Sequence, residues 1–246
     1  MANQNDRKSA IKKLKFLVFS AKSNLEVFRS KLNENFKTVF LPNHVERSDY
    51  KYGNILCDVL APELYSSNRV MLYIHGGSFV GGSRTAYRSF CASLATKCFC
   101  RVVIPEFRLP PENPYPAANE DISQVFKALF TEEQVACSLN SEKNQKPKLP
   151  EIIIAADGSG ASIACSLIFN LRDRYRNCIK KLILFSPWLD LSEYSKIINT
   201  KKISDEVING DAYRRSALSF AGENNSKNPM ISPLLATDEQ LSNFPD

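Results

Sequence analysis

Histidine is nearly absent: His44 and His75 are the only two in 246 residues. Chemistry that needs an imidazole as general base must draw on one of them. No apolar stretch approaches the roughly 20 residues needed to cross a bilayer. The patch Phe16-Leu17-Val18-Phe19 is also too short for a signal-peptide core, so a cytoplasmic location is expected. Seven cysteines, at 57, 91, 98, 100, 137, 165 and 178, follow no framework spacing. An odd, scattered set excludes a disulfide scaffold and points to reduced thiols. Cys98-Phe99-Cys100 lacks the spacing of a metal knuckle and reads as alternating residues near a strand start. Internal repeats and low-complexity tracts are missing too.

The net charge of +6 is not a property of the whole chain. Residues 1–37 hold nine Lys or Arg against three Asp or Glu, and the remainder balances. A basic surface spread over the fold is therefore excluded, and with it a nucleic-acid partner. The basic segment has helical spacing: Ile11, Leu14, Val18, Ala21, Leu25 and Phe28 fall on one stripe, with Lys12, Lys13, Lys15 and Lys22 off it. A basic amphipathic helix over 7–32 could meet a membrane surface or a partner. The preferred alternative is a helix laid over the rest of the chain with its basic face in solvent.

Beyond His44 the pattern changes to short apolar strands alternating with helices. Strands are predicted over 55–60, 70–74, 101–104, 151–155 and 181–185, and helices over 85–97, 117–130 and 161–175. That alternation specifies an α/β fold with a mostly parallel sheet flanked by helices. Residues 140–148 read as a polar, lysine-rich surface loop. Two regions follow: a basic amphipathic cap segment over 1–50 and an α/β domain over 51–246.

The most informative stretch is His75-Gly76-Gly77-Ser78-Phe79-Val80-Gly81-Gly82-Ser83, directly after the strand ending at Ile74. A buried strand that empties into paired glycines lets backbone N–H groups approach an anion, as in an oxyanion hole for acyl transfer. A glycine-rich turn without a ligand is the bland alternative.

Three further segments give the loop a family context. Glu106-Phe107-Arg108-Leu109-Pro110-Pro111-Glu112-Asn113-Pro114-Tyr115-Pro116-Ala117-Ala118 resembles the D-Y-R-L-A-P-E-x-P-F-P-A-A block of the hormone-sensitive-lipase-like carboxylesterases. Ser186-Pro187-Trp188-Leu189-Asp190-Leu191-Ser192 resembles that family's S-P-W-x-D-L segment. Between them, Ala156-Asp157-Gly158-Ser159-Gly160-Ala161 stands where its G-D-S-A-G-G nucleophile elbow belongs. The resemblance implies an alpha/beta-hydrolase fold with an N-terminal helical cap. It also implies hydrolysis of short- to medium-chain carboxylic esters by Ser, Asp and His, with no metal or organic cofactor. The ligand expected on this basis is a small acyl ester or a hydrophobic molecule.

The reactive positions depart from that pattern. Keeping Asp157, Gly160 and Ala164 in register puts Gly158, which has no side chain, at the nucleophile position. Sliding the frame by one makes Ser159 the nucleophile, but places Asp157 and Ala161 where the elbow wants glycines. The first frame is preferred, and Ser159 then supplies an oxyanion N–H beside those of Gly76, Gly77 and Ser78. His75 shapes the loop, with Asp157 and Gly160 as supporting motif residues, and Asp190 reads as structural. Tyr115 and Trp188 read as core or cavity wall.

In the family the triad acid and histidine follow the segment matching Ile231-Ser232-Pro233-Leu234-Leu235, and no histidine follows residue 75 here. The expectation is a catalytically impaired pseudoenzyme whose C-terminal strands are missing. A strand over 181–185 would then be left at an open sheet edge, inviting self-association.

Overall fold

The computed structural model describes residues 4–17, 19, 24–36, 40–66, 69–139, 149–192, 207, 210–242 and 244–245. Among these residues six strands form one sheet in the order β1-β2-β4-β3-β5-β6. They span Val45–Tyr52 (β1), Ile55–Pro62 (β2), Arg69–Ile74 (β3), Arg101–Pro105 (β4), Glu151–Asp157 (β5) and Ile179–Phe185 (β6). β4, β3, β5 and β6 run parallel, while the β1–β2 hairpin joins antiparallel through β2 and β4. The mostly parallel sheet is therefore as the sequence predicts.

The helices are α1 (Gln4–Leu17), α2 (Leu25–Phe36), α3 (Arg84–Cys98), α4 (Ala117–Leu139), α5 (Gly160–Asn170), α6 (Asp173–Arg176), α7 (Gly210–Ala221) and α8 (Asp238–Leu241). A 3-10 turn spans Pro233–Leu235. The central strands carry the core because both of their faces are covered: Val70, Leu72 and Ile74 join one cluster, and Met71 and Tyr73 the other. Continuous burial of this kind is what parallel strands under helices require.

Four expectations are corrected. β1, Val-Glu-Arg-Ser-Asp-Tyr-Lys-Tyr, carries no apolar run because its six middle residues are exposed. It begins at Val45, so the predicted boundary at residue 50 falls inside a strand. The predicted helix over 161–175 is two helices, with Leu171 and Arg172 extended between them. The single amphipathic helix over 7–32 is also two, because Asn24 starts α2 afresh: its Oδ1 accepts the Val27 N–H at 3.1 Å, an N-cap. Finally, the Cys98-Phe99-Cys100 alternation is not that of a strand. Phe99 is the left-handed C-cap of α3 (φ 49°), between a helix end and β4.

α2 is seated on the domain. Phe28 and Leu32 are buried with Phe19, Val80 and Ala212. The apolar side of this helix is thus used internally. The side chain of Leu14, Val18, residues 20–23 and the loop over 140–148 lie outside the described residues.

Next to the β1 edge of the sheet, Asp58 is fully buried on β2 and accepts hydrogen bonds from Arg47, Arg84 and Arg88. Three guanidinium groups on one carboxylate compensate the cost of taking that charge out of water, and they tie α3 to the β1–β2 hairpin. β6 ends the sheet on its side among the described residues, with Lys180, Lys181 and Phe185 exposed. Among the described residues no helix is long and apolar enough to cross a membrane.

Candidate functional site

The carboxyl ends of β3, β5 and β6 lie side by side, and parallel sheets place ligands there. A cavity of about 660 Å³ opens at this edge. Gly77 and Ser78, after β3, line it, as do Gly158 and Ser159, after β5, and the segment from Ser186 to Asp190, after β6. The sequence-predicted residues are therefore brought together, with two differences in role described below.

Gly158 occupies the sharp turn between β5 and α5, with φ +48°. Its N–H donates to the Phe185 carbonyl at 3.0 Å, and its own carbonyl accepts the Trp188 N–H at 2.9 Å. The left-handed turn is thus clamped on both sides by the β6 end. A side chain added at Gly158 would meet no heavy atom within 4 Å among the described residues. The tight turn thus aims this position at open space, where glycine places no side chain.

Ser159 differs in every respect. Its backbone is right-handed (φ −69°), it is buried, and its Oγ accepts the Phe79 N–H at 2.9 Å. The hydroxyl is a support for the glycine loop. Gly160 explains why the elbow sits so tightly: an added Cβ would lie 2.2 Å from the Ile74 carbonyl oxygen.

The loop after β3 has three successive residues at positive φ: Gly77 (127°), Ser78 (56°) and Phe79 (61°). A left-handed serine and phenylalanine cost about 1–2 kcal/mol each. Burial of the Phe79 ring offsets this, since it stacks on Phe220 at 4.1 Å and lies 5.2 Å from Trp188. The N–H groups of Gly77, Ser78 and Ser159 have no acceptor among the described residues. Gly76 does: its N–H donates to Asp157 Oδ1 at 2.9 Å, so it is not available to a ligand, which corrects its predicted place in the hole.

Asp157 is the organising carboxylate. Besides Gly76 it accepts from the Tyr73 hydroxyl at 2.9 Å and the Tyr87 hydroxyl at 2.8 Å. Burial first, and the Asp157 charge second, push both phenols above their usual pKa, so both remain donors. The two tyrosines carry no sequence signal of this role; only the fold brings Tyr73 on β3 and Tyr87 on α3 to one carboxylate.

His75 does not line the cavity. It is buried between Tyr87 (centroids 5.4 Å apart) and Phe107 (4.3 Å), with Nδ1 2.9 Å from the Gly76 carbonyl oxygen. Burial lowers its pKa, which keeps the ring neutral. His44 is on the surface beside Glu63. Asp190 holds its own turn, accepting from the Ser192 N–H at 2.9 Å and Oγ at 2.6 Å. Trp188 and Tyr213, 4.2 Å apart, form the aromatic wall. Among the described residues no cluster of three His, Cys, Asp or Glu could hold a metal ion.

Comparison with known proteins agrees with this fold. A family model described as alpha/beta hydrolase fold matches residues 71–246. An esterase of Acinetobacter venetianus is 29% identical over 170 residues, covering 69% of this chain and 52% of that protein. An acetyl-hydrolase of Streptomyces hygroscopicus is 28% identical over 165 residues, covering 67% and 51%. The chain thus spans about half the length of the curated relatives it matches. The crystal structure of an esterase from the bacterial hormone-sensitive lipase family superimposes with a TM-score of 0.76 at 21% identity, over 96% of this chain and 75% of that one. With the four ordered motifs on this scaffold, the chain belongs to the alpha/beta hydrolase fold family.

Proposed function

We propose that this chain binds small carboxylic esters in the cavity at the β3, β5 and β6 ends without cleaving them through a serine at the elbow. The observation that carries the reading is Gly158, left-handed, clamped and facing open space where a nucleophile would stand. The N–H groups of Gly77, Ser78 and Ser159 would receive the ester carbonyl oxygen, and the Trp188–Tyr213 wall its apolar part. The names of the esterase and acetyl-hydrolase relatives favour short acyl groups. A second reading, an active esterase that uses Ser159 with a base from elsewhere, must first free a buried hydroxyl already engaged by Phe79.

Trp188 is the only tryptophan, so its emission reports on this cavity alone. Titration with ethyl butyrate is expected to change that emission saturably, while a fluorophosphonate probe leaves no adduct. An adduct on Ser159 that disappears in Ser159→Ala would establish the esterase reading instead. Emission that never responds to ethyl butyrate would remove the binding reading.

A further inference from the structure

Arg29, on α2 and outside the cavity, engages three partners at once with its guanidinium, one of them in the glycine loop. Nε donates to the Val80 carbonyl at 2.7 Å, Nη2 donates to the Pro110 carbonyl at 2.6 Å, and both terminal nitrogens grip the Glu112 carboxylate at 2.9 and 3.0 Å. Its side chain is only 25% exposed. A rigid planar fork can satisfy several acceptors in this way; a lysine ammonium cannot reproduce that geometry.

The partners matter because of where Val80 lies. The glycine loop closes on itself through the Gly81 N–H, which donates to the Gly77 carbonyl at 2.9 Å. Its leading half, Gly77 and Ser78, faces the cavity, and its trailing half, Val80 to Ser83, faces α2. α2 presses on that trailing half along its length. An added Cβ at Gly81 would lie 2.6 Å from the Phe28 ring and 3.1 Å from Leu32, and Ser83 Oγ donates to Asn33 Oδ1 at 2.9 Å. The left-handed Ser78 and Phe79 need such external support, since strained backbone persists only where its surroundings over-determine it.

We infer that Arg29 is a positioning residue, which holds the cavity-lining loop in its strained shape by tying Val80 to α2 and to the 110–112 turn. Seating of α2 and the donor geometry at Gly77 and Ser78 are then one coupled equilibrium. This rests on the reading of the cavity as the ligand site, but its test is read without a ligand.

The Gly81 and Phe79 amides are the reporters, because their hydrogen bonds exist only while the loop is closed. Hydrogen exchange of the full chain is compared among wild type, Arg29→Met, Arg29→Lys and Glu112→Gln. Both Arg29 variants are expected to speed exchange at these two amides about tenfold, with β3 and β5 amides unchanged. Glu112→Gln is expected to change them less, since the bonds to Val80 and Pro110 remain. A purely structural role would instead raise exchange in the core strands together with the loop, and that result would overturn the inference. So would wild-type exchange at Gly81 in either Arg29 variant; the lysine variant keeps the test open if the methionine variant does not fold. Failure of ethyl butyrate to reach Trp188 would count against the proposed function and leave the exchange result standing.

Discussion

The Ser159 hydroxyl oxygen accepts the Phe79 N–H across 2.9 Å, joining the start of α5 to the glycine loop after β3. The side chain that the shifted frame offers as a nucleophile is therefore a strut between two of the backbone segments that line the cavity. A neighbouring glycine supplies the turn, and the serine supplies the brace.

Removing that brace strands a buried donor. In Ser159→Ala the Phe79 N–H loses its acceptor, and a loss of about 1–3 kcal/mol is expected. Urea unfolding measures it. Reactivity toward fluorophosphonate is expected to be as low as in wild type.

Gly158 and Gly160 are two residues apart and respond oppositely to one added methyl group. Gly158→Ala places its Cβ in open space, so only the left-handed backbone opposes it, at about 1–2 kcal/mol. Gly160→Ala drives Cβ against the Ile74 carbonyl and must move α5 away from β3, a change of about 3 kcal/mol or more. Thermal melts of the two variants are expected to separate clearly, with Gly158→Ala the milder.

Buried thiols are expected to resist alkylation. Burial pushes Cys57, Cys165 and Cys178 up to about 12 and Cys100 up to about 11, so almost none of each is thiolate at neutral pH. Cys98 alone of the seven is not buried. Mass spectrometry after brief iodoacetamide treatment is expected to find one adduct at Cys98 on the native protein, and seven after denaturation.

Acid should weaken the fold through His75. Its folded pKa lies below its ordinary value of 6.5, chiefly because of burial, so the unfolded chain binds the proton more readily. The contribution is fully present above 6.5 and is lost as pH falls toward the folded value. The limiting slope is about 1.4 kcal/mol per pH unit. Stability measured from about pH 7 to about pH 5 is expected to fall in wild type and to flatten in His75→Phe.

Much of this was legible before any coordinates. Strand β3 announces itself as Val-Met-Leu-Tyr-Ile, and the paired glycines after it mark a loop of exposed N–H groups. Gly158 in the turn after β5 follows from register alone. β1 was not legible, because a strand with six exposed residues carries no apolar pattern; its only signal is the two-residue Gly53-Asn54 link to β2. The break at Asn24 was hidden by a stripe that continues across it. Gly76 was misread for a different reason: spacing shows that an N–H is present but not that a carboxylate 81 residues away already holds it.

That carboxylate gives the sharpest test of how the cavity is held. Asp157 receives three neutral donors, the hydroxyls of Tyr73 and Tyr87 and the Gly76 N–H; no cation hydrogen-bonds to it among the described residues. A hydrogen bond to a charged group contributes about 1.5–3 kcal/mol, so Tyr87→Phe is expected to cost that much. Asp157→Asn is expected to cost more. An amide has one oxygen to offer three donors, and its NH2 group would face a hydroxyl or N–H already aimed at it. Because the Gly76 bond starts the turn into Gly77 and Ser78, the asparagine variant should also blunt the response of Trp188 to ethyl butyrate. Tyr87→Phe, with the Gly76 bond intact, should keep that response while melting earlier, so the two variants separate the carboxylate's part in stability from its part in shaping the cavity.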